Sequence, residues 1–222
     1  MTGVRVSNRL ARWRGGRLLH PRGISFTGDV ELSGPLADGL AGGSGRYPGT
    51  VRLSRGTPTP EGWPDLLGLA VRLHLAGGPF DLLLSSTGRP PLLRHLPVPR
   101  RDFAGPYGSL LAYRFDGRRT YLLACADGPL GSSLDEVADL AARAGARLNL
   151  LAAGVRGPWR TFGHVVFGTR LPAETDAALA FDPAGRHGSE LRPRGLLQWL
   201  RVNSYASSQR ARGAAEDQTR LS

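Results

Sequence analysis

Apolar and polar residues alternate in short runs along this chain, and glycine or proline cuts the runs before any grows long. Residues 23–32 (GISFTGDVEL), 50–54 (TVRLS), 69–75 (LAVRLHL) and 80–84 (FDLLL) each carry an apolar side chain at nearly every second position. A period of two marks a strand with one face buried, so these segments predict strands. Ala76-Gly77-Gly78-Pro79 supplies the turn between the third and fourth. Residues 110–115 and 120–124 flank Asp116-Gly117, a dipeptide suited to the tight turn of a hairpin. Residues 161–169 (TFGHVVFGT) return to strand. Two helices interrupt this pattern. Ser133 with Glu136 forms a capping box ahead of the stripe Leu134, Val137, Leu140 and Ala141. Residues 195–212 read as a closing helix with Leu196, Leu197, Trp199 and Leu200 on its apolar side. No repeat and no long linker divides the chain. The expected fold is one α+β domain across 1–222, rich in antiparallel sheet, with helices packed outside and frayed ends at 1–14 and 213–222.

Composition narrows the function. At 41% hydrophobic and 21% charged residues, a chain of 222 buries a sizeable core, which excludes a fibrous or disordered protein. No run of 18 apolar residues exists to span a membrane, and Met1 to Arg14 is basic without an apolar stretch, so neither a membrane nor a secretory address is expected. The lone Cys125 rules out an internal disulfide and a multi-cysteine metal site and suits the cytoplasm. Twenty-nine basic residues against 18 acidic give a net charge of +11, and every basic residue is arginine. Such charge invites a nucleic-acid partner, but the arginines run from Arg5 to Arg220 without clustering and no recognition signature accompanies them. An arginine-rich nucleic-acid module stays open as an alternative. Serine hydrolase, zinc hydrolase and dinucleotide or phosphate-loop motifs are absent.

Two clusters carry chemistry. Arg17-Leu18-Leu19-His20-Pro21-Arg22-Gly23 stands immediately before the first strand. Arg201-Val202-Asn203-Ser204-Tyr205 lies on the closing helix, with Arg212 two turns beyond the tyrosine on the same face. Arg201, one turn before Tyr205, is placed to favour a phenolate at a pH where tyrosine is otherwise protonated.

These segments, in this order, resemble the haem-containing catalase-like family. Arg17-x-x-His20-x-x-Gly23 is similar to its distal histidine motif, Val51-Arg52-Leu53-Ser54 to its V-R-F-S strand, and Asp65-x-x-Gly68-Leu69-Ala70-Val71-Arg72 to its D-x-R-G-F-A-V-K strand. Phe80-Asp81-Leu82 resembles its W-D-L segment, Ala180-Phe181-Asp182-Pro183 its F-N-P turn, and Arg201-x-x-x-Tyr205 with Arg210-x-Arg212 its proximal motif. The resemblance implies a catalase-like antiparallel β-barrel whose C-terminal helix carries Tyr205 as the ligand of haem b iron, with Arg17, Arg52 and Arg212 holding the propionates. It implies His20 as general acid and base, moving a proton between the two oxygens of a peroxide so that the O–O bond splits. Ser54, on the same side of its strand as Arg52, would orient the His20 ring.

The pattern departs at Ser85, where the family has an asparagine that positions hydrogen peroxide, and at Phe80 and Ala206. A peroxidase, peroxygenase or hydroperoxide-processing tailoring enzyme is therefore expected in place of an efficient catalase, with peroxide and a small molecule as partners and a homodimer open. A non-catalytic haem-binding or haem-sensing protein is the other alternative. Of the remaining signals, His74 and His164 read as strand histidines, His95 and His187 as loop residues, Cys125 as a small buried hydrophobe, and Trp13, Trp63, Trp159 and Trp199 as core or interface packing residues.

Overall fold

A computed structural model describes residue 20 and residues 22–57, 59–60, 62–181 and 192–193. The expected closing helix, Arg17, Arg201, Tyr205, Arg212, His187, Trp13 and Trp199, and both expected frayed ends lie outside the described residues.

The chain runs β1 (Arg22–Leu32), α1 (Pro35–Ala41), β2 (Gly45–Arg55), β3 (Leu67–Leu75), β4 (Gly78–Ser86), β5 (Tyr107–Gly108), β6 (Tyr113–Phe115), β7 (Arg118–Ala126), α2 (Leu134–Ala144), β8 (Arg147–Gly154), β9 (Arg160–Arg170), α3 (Ala173–Ala178) and β10 (Arg192–Pro193). Every strand pairing is antiparallel. The order β7-β5-β4-β3-β2-β1-β9-β8 returns to β7, so eight strands close a barrel, and β6 with β10 extends from the rim of β7. The antiparallel β-barrel of an α+β fold expected from the sequence is the fold observed among the described residues.

Alternation dictates what faces inward. Ile24, Leu53, Leu69 and Leu84 lie opposite one another across four strands, as do Phe26, Val51, Val71 and Leu82, and all eight are buried. Each such side chain contributes about 1.5–3 kcal/mol by leaving water. The intervening residues of the same strands therefore build the outer wall, where the candidate site lies.

The local signals perform as chemistry predicts, with instructive exceptions. Ser133 Oγ accepts the Glu136 backbone N–H at 3.1 Å, while the Glu136 carboxylate turns to the Ser132 N–H at 2.7 Å rather than to Ser133. Val137, Ala138 and Ala141 of α2 are buried. Asp116 and Gly117 both take positive φ, 47° and 70°, as a tight hairpin turn requires. The strand expected at 110–115 begins only at Tyr113, because Leu110 adopts φ 56° and the Ser109 hydroxyl donates to the Leu111 carbonyl. Strand β8 and helices α1 and α3 were not expected. Trp63 is 63% exposed and therefore does not pack in the core of the chain. No helix among the described residues is long and apolar enough to cross a membrane.

Candidate functional site

On the outer wall of β1–β4 one cross-strand row consists of the smallest side chains available. Gly23 lies opposite Ser54, Ser54 opposite Gly68, Gly68 opposite Ser85, and Ser85 opposite Gly108. Partners in an antiparallel ladder project to the same face. The row is thus a shallow strip running across five strands, and Ser54 and Ser85 within it are buried.

His20 sits above this strip. It precedes β1 in the left-handed region, φ 56°, which is uncommon for a residue with a side chain. Its half-buried ring lies against Gly68. A methyl group on Gly68 would stand 2.7 Å from His20 Nδ1 and 2.7 Å from Ser54 Oγ, so the absence of a side chain there is what admits the imidazole beside the hydroxyl. Ser54 Oγ donates to the Gly68 carbonyl at 3.3 Å, which leaves its lone pairs for another donor.

Arg52, two residues before Ser54 on the same face, is 4% exposed. Its guanidinium crosses β1 over Gly23, where a methyl group would meet Cζ at 2.6 Å. The two motif glycines are therefore explained by what lies over them, a guanidinium on Gly23 and an imidazole on Gly68. Arg52 Nη1 donates to the His20 backbone carbonyl at 3.3 Å. Its other edge meets the Asp176 carboxylate, Nε to Oδ1 at 2.8 Å and Nη2 to Oδ2 at 3.4 Å. Ser25, directly opposite Arg52 in the ladder, donates its hydroxyl to Asp176 Oδ1 at 2.5 Å.

A second ion pair lies one row along. Arg72 holds Asp81 by two bonds, Nε to Oδ1 at 2.7 Å and Nη2 to Oδ2 at 2.6 Å. The same guanidinium donates to the Ala180 carbonyl at 2.6 Å and stacks over the buried Phe181 ring at 4.9 Å. Two arginines of the outer wall thereby fasten the segment after β9 across the sheet.

The structure thus brings together His20, Arg52, Ser54 and Ser85 of the residues singled out in the sequence. Asp176, Ser25 and Gly68 complete the cluster and were not identified as site residues. Ser25 was reachable by counting two along β1 from Gly23, but nothing in the local sequence PAETD marks Asp176. Two further histidines find ordinary partners: His74 Nε2 lies 3.1 Å from Thr50 Oγ1, and His164 Nε2 lies 2.8 Å from Glu31. Among the described residues no group of three or more His, Cys, Asp or Glu could hold a metal ion.

A closed eight-stranded antiparallel barrel with a polar strip on its outer wall is the class of protein these observations define. No protein-family model matches the chain, and no curated protein matches it in sequence. Among solved structures it is similar to one described as the structure of a bacterial catalase, with a TM-score of 0.60 and 13% identity. The match covers 96% of this chain and 61% of the catalase, so the chain spans less than two thirds of the protein it resembles. At this identity the likeness is one of fold.

Proposed function

We propose that the protein is a haem-dependent oxidoreductase that uses hydrogen peroxide or an organic hydroperoxide, and that the chain is one haem-binding domain. The observation that carries this reading is the His20 imidazole set over Gly68 beside Ser54, with the Arg52 guanidinium next to it on the outer wall. The residues present fit the distal side of such a group. The absence of side chains at Gly23 and Gly68 brings the Arg52 guanidinium and the His20 imidazole close over one face of the sheet, and Arg52 shows by its grip on Asp176 the two-bond geometry with which it binds a carboxylate. Arg17, Arg52 and Arg212 would hold the propionates, and Tyr205 would ligate iron with Arg201 favouring its phenolate.

A ferric haem supplies the redox equivalents that reduction of a peroxide requires. His20 accepts the proton of the peroxide at one ring nitrogen and returns it to the departing oxygen. Ser54 Oγ, its own hydrogen committed to the Gly68 carbonyl, would accept from the imidazole and so fix which nitrogen carries the proton. Ser85 offers a hydroxyl where an amide would reach further. The same strip then favours oxidation of an organic substrate over rapid disproportionation.

The visible absorption spectrum of the purified protein tests this. A Soret band that disappears in Tyr205→Phe is the expected result. A colourless protein that takes up no added haemin overturns it.

A further inference from the structure

We propose that Asp176 is a positioning residue for His20, acting through Arg52. The proposal rests on the function above only for the use to which His20 is put.

A guanidinium carries its nitrogens in one rigid plane, so fixing one edge aims the rest. The Asp176 carboxylate fixes the Nε and Nη2 edge of Arg52 at 2.8 and 3.4 Å. What remains of the plane then points Nη1 at the His20 carbonyl, 3.3 Å away. That carbonyl belongs to a residue held at φ 56°, a conformation that persists in a residue with a side chain only where its surroundings enforce it. Ser25 aims the carboxylate in turn, through its hydroxyl on Oδ1. The pair is sheltered from water, with side chains 4% and 14% exposed, so its geometry is not loosened by solvent as a surface pair would be. Gly23 gives the guanidinium its path across β1. The chain of contacts runs from Ser25 to Asp176, to Arg52, to the backbone of His20, and it sets the imidazole over Gly68 from a helix more than 150 residues downstream.

Asp176→Asn keeps the size of the side chain and removes the charge that grips two nitrogens. The test uses the full-length, haem-free protein with isotope-labelled histidine, the His20 ring signal being assigned by its loss in His20→Ala. In Asp176→Asn the His20 signal is expected to shift and broaden, with the signals of His74 and His164 unmoved. Asp176→Glu, which keeps the two-pronged grip, is expected to restore it, and Arg52→Lys, which cannot make that grip, to reproduce the loss. In haem-loaded protein Asp176→Asn is expected to lower kcat with peroxide about tenfold or more while KM stays within about twofold.

A folded Asp176→Asn protein whose His20 signal matches the parent overturns the proposal. Should that variant not fold, Ser25→Ala removes only the bond that aims the carboxylate; a displaced His20 signal supports the proposal and an unmoved one overturns it. The ring signals are read without haem. A chain that takes up no haem therefore overturns the proposed function alone, and a haem protein whose His20 ignores Asp176 overturns this inference alone.

Discussion

Gly68 of β3 lies directly opposite Ser85 of β4, and the two occupy the centre of the strip beneath His20. A side chain on Gly68 has nowhere to go. In Gly68→Ala the new methyl group meets His20 Nδ1 and Ser54 Oγ at 2.7 Å and His20 Cε1 at 2.8 Å, so the imidazole must move. Overpacking of this kind costs about 1–3 kcal/mol. Thermal unfolding should register that loss, and peroxide turnover should fall by more than haem uptake does.

Ser85 lies between Gly68, over which the His20 ring sits, and Gly108, over which Thr87 sits, so a change at this position acts beside the imidazole. Ser85→Asn is expected to raise oxygen release from hydrogen peroxide relative to the parent protein. His20→Ala in the same assay should retain haem and abolish the reaction. A variant pair in which neither change alters oxygen release would separate this strip from the chemistry.

Arg55 and Asp65 form an ion pair at 3.5 Å with both side chains only 1% exposed. Asp65 also accepts from the Thr57 N–H and hydroxyl, and Arg55 donates to the Trp63 carbonyl at 2.9 Å, so the pair closes the turn between β2 and β3. Removing one partner of a buried pair leaves the other charged in a dry interior. Asp65→Asn is expected to cost about 3–5 kcal/mol in chemical denaturation.

Much of this architecture could be read from the chain because its determinants are local. Alternation in 23–32, 50–54, 69–75 and 80–84 assigned the inner face of four strands, and Ser133 and Asp116-Gly117 marked a cap and a turn by their own chemistry. Strand β8 was missed although Leu148 and Leu150 alternate around Asn149, because it follows α2 with only Gly145 and Ala146 between. The site was half legible for another reason, the resemblance of its segments to known motifs. His20, Arg52 and Ser54 stand near each other in sequence or in one strand, whereas Asp176 reaches Arg52 only through folding, and a lone aspartate in a six-residue helix carries no local sign of a distant partner.

Glu136 gives the stability of α2 a pH dependence of known sign. The Ser132 N–H and hydroxyl hold its carboxyl below the ordinary carboxylate range. A lowered folded value contributes stability above the unfolded value and loses it as pH falls through the folded one. The helix should therefore weaken as pH falls below the ordinary carboxylate range, and Glu136→Gln should flatten that part of the profile. Circular dichroism across an acid titration checks both.

Burial raises the Cys125 thiol, with Asp127 adding to the effect and Arg89 opposing it. The thiolate fraction at neutral pH is accordingly small. Alkylation should proceed more slowly than for free cysteine and rise to its plateau at a higher pH. A rate equal to that of the free amino acid would show the thiol to be more open than its half-buried setting.

Closure of the barrel also orders events in time. Strand β1 lies between β2, its neighbour in sequence, and β9, more than a hundred residues away, as the pairing of Leu32 with Gly163 shows. A ring completed by so distant a partner folds slowly, because the loop must close before its contacts repay the loss of freedom. Until Arg160–Arg170 has been synthesised, one edge of β1 has no strand to meet. Asp176 follows β9 within a few residues, tethered where the Leu171 N–H donates to the Ser25 carbonyl at 2.8 Å. The same late step that seals the barrel therefore delivers the carboxylate to Arg52, and a nascent chain cannot assemble its site ahead of its fold.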